Sequence, residues 1–224
     1  MLFFCHKSFP ALKTELSGLR LDNPIGVLTS ISSPLQAKKV QRTRPGFITV
    51  QPPRDETLSW IASLQKMPGN CVLAVNLKLD IERSFSLFYD FPDMLIIDPD
   101  SGAATPDVSE ISDLMDRLLS LRLCYERYKP TFLRIPHGLA PDEVKPLLDY
   151  CQLSGVDGVV VSGLSKAVFA REQTLGRLPV IAVSNQYEEA LSLLIQGFPL
   201  ETELNPLLRL RLLKSLDKQQ KKNG

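Results

Sequence analysis

The residues able to do chemistry in this 224-residue chain fall at one recurring place, just after short apolar runs. Thr29 and Ser30 follow the first run, Gln51 and Arg54 the second, and Asn76 and Lys78 end the third. Asp98, Asp100 and Ser101 follow the fourth, and Arg134 and His137 end the fifth. Ser162, Ser165 and Lys166 follow the sixth, Ser184 and Asn185 the seventh. Brought into one ring, these groups could bind a small anion or a planar ligand. Loops after strands are polar in any case, so solvated turns would read the same way.

Some of these residues suggest more specific chemistry. Arg134 sits inside an apolar run, and a buried guanidinium needs an anionic partner. Asp98 on the neighbouring run is a candidate, as is a ligand. Asp98 and Asp100 lie two apart, so on extended chain both could face one site as acid, base or metal ligand. His137 could serve as a base, or simply be a loop residue. His6 and His137 lack metal-ligand spacing, and no metal is expected. Lys166 could form a Schiff base only from a dry pocket that depresses its pKa. A glycine-rich phosphate cradle is missing after the seventh run, where Ser184 and Asn185 stand, and Glu201 and Glu203 near the chain's end would repel a phosphate.

Positioning such a ring requires regular elements. The apolar runs are residues 24–29, 46–50, 72–76, 94–97, 132–135, 158–161 and 180–183. They are short, rich in Val and Ile and show little alternation, as strands buried on both faces of a parallel sheet do. Between them the spacing predicts helices over 108–127, 141–154, 187–196 and 206–217. Alternating strands and helices imply parallel strands with right-handed crossovers. An eighth strand is expected near 198–200, although Pro199 suits a central strand poorly. Only about 18 residues separate the sixth and seventh runs, leaving room for a short helix at best. The expected fold is α/β: a shortened TIM-type (β/α)8 barrel with an irregular sixth helix and eighth strand. One domain spans 1–224, with an extension over 1–13 and a frayed tail over 218–224. Chemistry in such a barrel sits at the C-terminal ends of the strands.

Composition narrows the function classes. A net charge of +1 argues against a dominant nucleic-acid or anionic-membrane surface. Cys5, Cys71, Cys124 and Cys151 are scattered without C-x-x-C spacing, as thiols of a reducing cytosol are. The start "MLFFCHKSFP" has no signal-peptide pattern, and no apolar stretch approaches a membrane span. A cytoplasmic protein is expected.

Four stretches resemble the dihydroorotate dehydrogenase family, FMN-binding β/α barrels that oxidise dihydroorotate in pyrimidine synthesis. "LSGLRLDNPIG" resembles the family's opening hairpin and first strand, and "VLAVNLK" its third strand. "FLRIPHGLAPDEVKPLLDYCQLSGVDGVVVSG" resembles the fifth strand, its helix and the sixth strand. "LPVIAVSNQYEEALSLLIQG" resembles the seventh strand and its helix. The resemblance implies an FMN site touching Thr29, Ser30, Asn76, Arg134, Ser162, Gly163, Ser184 and Asn185. Ser101 would be the base that removes a proton while flavin takes a hydride.

The chain also departs from the family pattern. Ser33 stands for a lysine, Asp98 for an asparagine, Arg134 for a lysine and Ser162 for an asparagine. Ser184 and Asn185 replace a double glycine, the last phosphate loop is unrecognisable, and the helix after the sixth strand is nearly gone. Three readings follow: an FMN-dependent oxidoreductase; a non-catalytic barrel with a binding or regulatory role; and a lyase or isomerase using Asp98, Asp100, Arg134 and Lys166. The expected partner is a small molecule at the C-terminal mouth, with a possible homodimer and neither nucleic acid nor membrane.

Overall fold

A computed structural model describes residues 12–29, 39–40, 43–52, 71–100, 102 and 105–223. The chain opens with a two-stranded hairpin, β1 (Thr14–Leu16) and β2 (Leu19–Leu21). Ser17 and Gly18 form its two-residue turn, both with positive φ, which matches the twist of the flanking strands. Asn23 then turns the chain into the barrel. Its side-chain oxygen accepts from the Ile25 amide at 3.0 Å and its amide donates to the Arg44 carbonyl at 3.0 Å.

Eight parallel strands follow and close on themselves: β3 (Ile25–Thr29), β4 (Phe47–Val50), β5 (Val72–Leu77), β6 (Met94–Ile97), β7 (Thr131–Arg134), β8 (Gly158–Ser162), β9 (Val180–Val183) and β10 (Leu200–Thr202). Closure comes from β10 against β3, with Glu201 opposite Gly26 and Thr202 opposite Val27. The barrel expected from the apolar runs is the one observed. The described helices outside it are α1 (Ile81–Phe88), α2 (Val108–Arg122), α3 (Pro141–Ser154), α4 (Leu164–Gln173), α5 (Tyr187–Ile195) and α6 (Pro206–Asn223).

The structure corrects several expectations. The helix after the sixth barrel strand is not nearly gone: α4 is ten residues long. Its fully buried residues are the small Ala167 and Ala170, so it lacks the strong apolar stripe that a periodicity reading needs. The eighth strand begins at Leu200, pairs on both sides and is regular. Pro199 sits just before it and offers only its carbonyl, which accepts from Ala182 N at 2.9 Å, so no ladder donor is lost. Helix α2 stops at Arg122 rather than 127. The C-terminal tail is helical to Asn223 instead of frayed from 218, with Lys221 paired one turn back to Asp217 at 2.8 Å.

Two cores result. One lies between the barrel and its helices, where residues such as Leu95, Ile97, Leu118 and Leu147 are buried. The other fills the barrel from below with Phe47, Val72, Met94, Phe132 and Ile181, and Leu16 and Leu21 of the hairpin close its foot. Gly26 and Gly158 make this packing possible. A Cβ on either would come within 2.1 Å of the Phe47 or Phe132 ring on the neighbouring strand. Following the register around the barrel places Thr49, Ile96, Val160 and Glu201 in one layer, with Asn76, Arg134 and Val183 above it. Among the described residues, no helix is long and apolar enough to cross a membrane.

Candidate functional site

The upper barrel is charged where the lower barrel is apolar. Asn76 points inward near the end of β5, Asp98 directly after β6, Arg134 at the end of β7 and Glu201 in the middle of β10. Asn76, Asp98 and Glu201 are buried, Glu201 completely. Arg134 Nη2 donates to Glu201 Oε2 at 2.6 Å. Its Nε lies 3.4 Å from Asn76 Oδ1 and 3.6 Å from Asp98 Oδ2. Asn76 Nδ2 donates to Asp98 Oδ2 at 3.3 Å, and Lys78 Nζ stands 4.0 Å from the same oxygen. Two cations therefore face two carboxylates and the cluster is neutral. Its low-dielectric surroundings strengthen these contacts, but leave any unpaired member costly.

Arg134 thus finds the anionic partner its position demands. The nearer partner is Glu201, across the barrel, with Asp98 second. Sequence reasoning treated Glu201 only as a carboxylate hostile to phosphate. The signal that could have found it is alternation, since Leu200 and Thr202 face the other way and leave Glu201 pointing inward. Two buried oxygens in this layer, Glu201 Oε1 and Thr49 Oγ1, have no hydrogen-bond partner.

Around this floor the rim residues are largely engaged. Ser184 Oγ donates to Glu189 Oε2 at 2.6 Å and accepts from Gln186 N at 3.2 Å. Asn185 Oδ1 accepts from Glu203 N at 2.7 Å and from Thr202 Oγ1 at 3.3 Å, while its Nδ2 donates to Glu203 Oε2 at 3.3 Å. Asn185 therefore ties the end of β10 to the end of β9. Gly163 N donates to the Val183 carbonyl at 3.0 Å, placing Ser162 and Gly163 beside the end of β9. Thr29 ends β3, half-buried. Ser30, Ser33, Arg54 and Ser101 lie outside the described residues.

The remaining candidates separate from the cluster. Asp100 Oδ1 accepts from Gly102 N at 2.9 Å and closes its own loop instead of joining Asp98. His137 is exposed, and its carbonyl accepts from Lys166 Nζ at 2.9 Å. Lys166 is half-buried on α4, tied to a backbone oxygen, not enclosed in a dry pocket. Among the described residues, no group of three or more His, Cys, Asp or Glu could hold a metal ion.

No protein-family model matches the sequence, and no curated protein matches it. Solved structures do match. Dihydroorotate dehydrogenase (DHODH) of Eimeria tenella in complex with ferulenol superposes with a TM-score of 0.77 at 15% identity, over 100% of this chain and 88% of that one. The barrel is DHODH-like in fold. A mandelate oxidase variant carrying an FMN adduct gives a TM-score of 0.58 at 14% identity, over 93% of this chain and 74% of that one. The aldolase QR15 gives 0.60 at 15% identity, over 80% and 88%. At such identities the likeness is one of fold, and the site has to be judged on its own residues.

Proposed function

We propose that this chain is a DHODH-like barrel that works as a binding or regulatory protein and does not turn over a flavin. One observation carries the reading: the mouth's central cation is already neutralised from within. A flavin enzyme tunes its ring through charge placed near the reacting nitrogens. Arg134, at the position suited to that task, is held by Glu201 at 2.6 Å and faces Asp98 at 3.6 Å. The phosphate end of FMN fares no better. Ser184 and Asn185 are bonded to Glu189 and Glu203, so a phosphate would meet two carboxylates where it needs donors. The residues present do not fit the cofactor.

An FMN-dependent oxidoreductase, with Ser101 as base, is the second reading. It is favoured by the convergence of Asn76 and Arg134 at the mouth, where the arginine side chain keeps 15% of its surface exposed.

An absorbance spectrum separates the two, recorded from about 300 to 550 nm, where bound flavin absorbs, before and after mixing with FMN and desalting. The proposal expects a colourless protein in both cases. Flavin bands that stay with the protein would sink it and call for a dihydroorotate oxidation assay with Ser101→Ala.

A further inference from the structure

We infer that Glu189 is the residue that keeps phosphorylated flavin out of this mouth, because its carboxylate sits where the phosphate would have to bind. The inference rests on the reading above and names its specificity determinant. Barrels of this architecture usually hold phosphate in the loops after their last strands, against a helix N-terminus. Here the loop after β9, the seventh barrel strand, is one such part, and the turn into α4, after the sixth, adjoins it through the bond from Gly163 N to the Val183 carbonyl. Gly163 turns the chain with φ 85° and ψ 159°, a conformation in which other residues would be strained. The Leu164 amide that follows opens α4, at the positive end of its dipole. It donates to Glu189 Oε1 at 2.9 Å, and the Ser184 hydroxyl donates to Oε2 at 2.6 Å. Both oxygens of one carboxylate are thus held between two loops.

The chain contains its own control for this arrangement. Three of its helices carry a glutamate at the third helical position, the usual partner in a reciprocal N-terminal cap. Glu110 on α2 reaches back to its own cap residue, accepting from Asp107 N at 3.0 Å. Glu143 on α3 does the same, accepting from Ala140 N at 2.9 Å. Glu189 occupies that position on α5 and leaves its own cap alone. Ser184 Oγ accepts from Gln186 N in its stead, at 3.2 Å. Glu189 is free to cross to α4, and a carboxylate there supplies the negative charge that the helix end favours. An incoming phosphate would have to displace it and then remain beside it.

The test compares Glu189→Ala, Glu189→Ser and Glu189→Gln with the unmodified chain, using FMN and inorganic phosphate as probes. Glutamine retains the bulk and one of the two acceptor oxygens but not the charge, so if filling the seat is what excludes the phosphate it should hold neither probe. Alanine and serine should open the seat: FMN retention should rise at least tenfold, and phosphate should raise the thermal midpoint of these two variants only. Folded alanine and serine variants that gain nothing would overturn the inference while leaving a colourless parent protein consistent with the proposed function. Failure of both to fold would overturn it too, marking Glu189 as a structural tie. Flavin held by the unmodified chain would overturn both readings together.

Discussion

The foot and the mouth of the barrel are built from the same eight strands by opposite means. At the foot, Phe47, Val72, Met94 and Phe132 interlock over two glycines, and the hairpin closes the end with Leu16 and Leu21. At the mouth, Asn76, Asp98, Arg134 and Glu201 meet through charge and hydrogen bonds. Apolar burial is non-directional and contributes roughly in proportion to area, so the foot is where the interior contributes most to stability. Burying an ion pair contributes little net free energy, yet removing one partner is expensive. The mouth therefore specifies which charges can face one another and, in the proposed reading, its internally neutralised cation limits which ligands it could take.

The largest test of this contrast is at the foot. Phe132→Ala removes a ring that also packs against Gly158, and should cost about 3–5 kcal/mol in chemical denaturation. A cost below about 1 kcal/mol would mean that the interior is looser than its buried side chains imply. At the rim the stakes are lower. Asn185→Ala removes three hydrogen bonds tying β10 to β9 and should cost about 1–2 kcal/mol, since the site is exposed and water replaces part of the loss. A cost equal to that of Phe132→Ala would erase the distinction between packed foot and polar rim.

The smallest perturbation is thiol labelling of the native protein near pH 8. Cys71, at the foot of β5, is pushed up to about 12 by burial, with Asp93 and Asp22 adding repulsion. Burial raises Cys151 on α3 to about 12 as well. Both thiols should stay protonated and unreactive until the chain unfolds, while exposed Cys124 reacts. Mass spectrometry of the labelled protein reads this directly. Native labelling of Cys151 as fast as Cys124 would show that α3 lifts from the barrel.

What the sequence made legible follows the same division. Strands buried on both faces leave continuous apolar runs, so seven of the eight barrel strands were readable from runs such as "GFITV" and "GVVV". Helix α3 was readable because Pro141, its first-turn acids and Gly155 mark both ends. Helix α4 was not, because alanines bury it and no apolar stripe marks it. At the mouth, Arg134's need for an anion was visible in the chain, and so was Asp98 as a partner. Glu201 was not visible as the nearer one, because that contact depends on closure: β10 must seat on β3 before Glu201 can face β7. Glu189 escaped for a related reason. A glutamate in the first turn of a helix ordinarily means a local cap, and only the neighbouring loop shows that this one reaches elsewhere.

The central claim is that Glu201, inside the barrel, is the counter-ion that holds Arg134. A double-mutant cycle in chemical denaturation tests it most directly, with Arg134→Leu, Glu201→Leu and the combined variant. Arg134→Leu leaves the buried Glu201 without its partner and should cost about 3–5 kcal/mol, whereas Glu201→Leu leaves Arg134 its 3.6 Å contact with Asp98 and should cost less. The combined variant should cost less than Arg134→Leu alone, giving a coupling of about 2 kcal/mol or more. Costs that simply add, with coupling near zero, would contradict the claim and return Arg134 to the mouth as a cation awaiting a ligand.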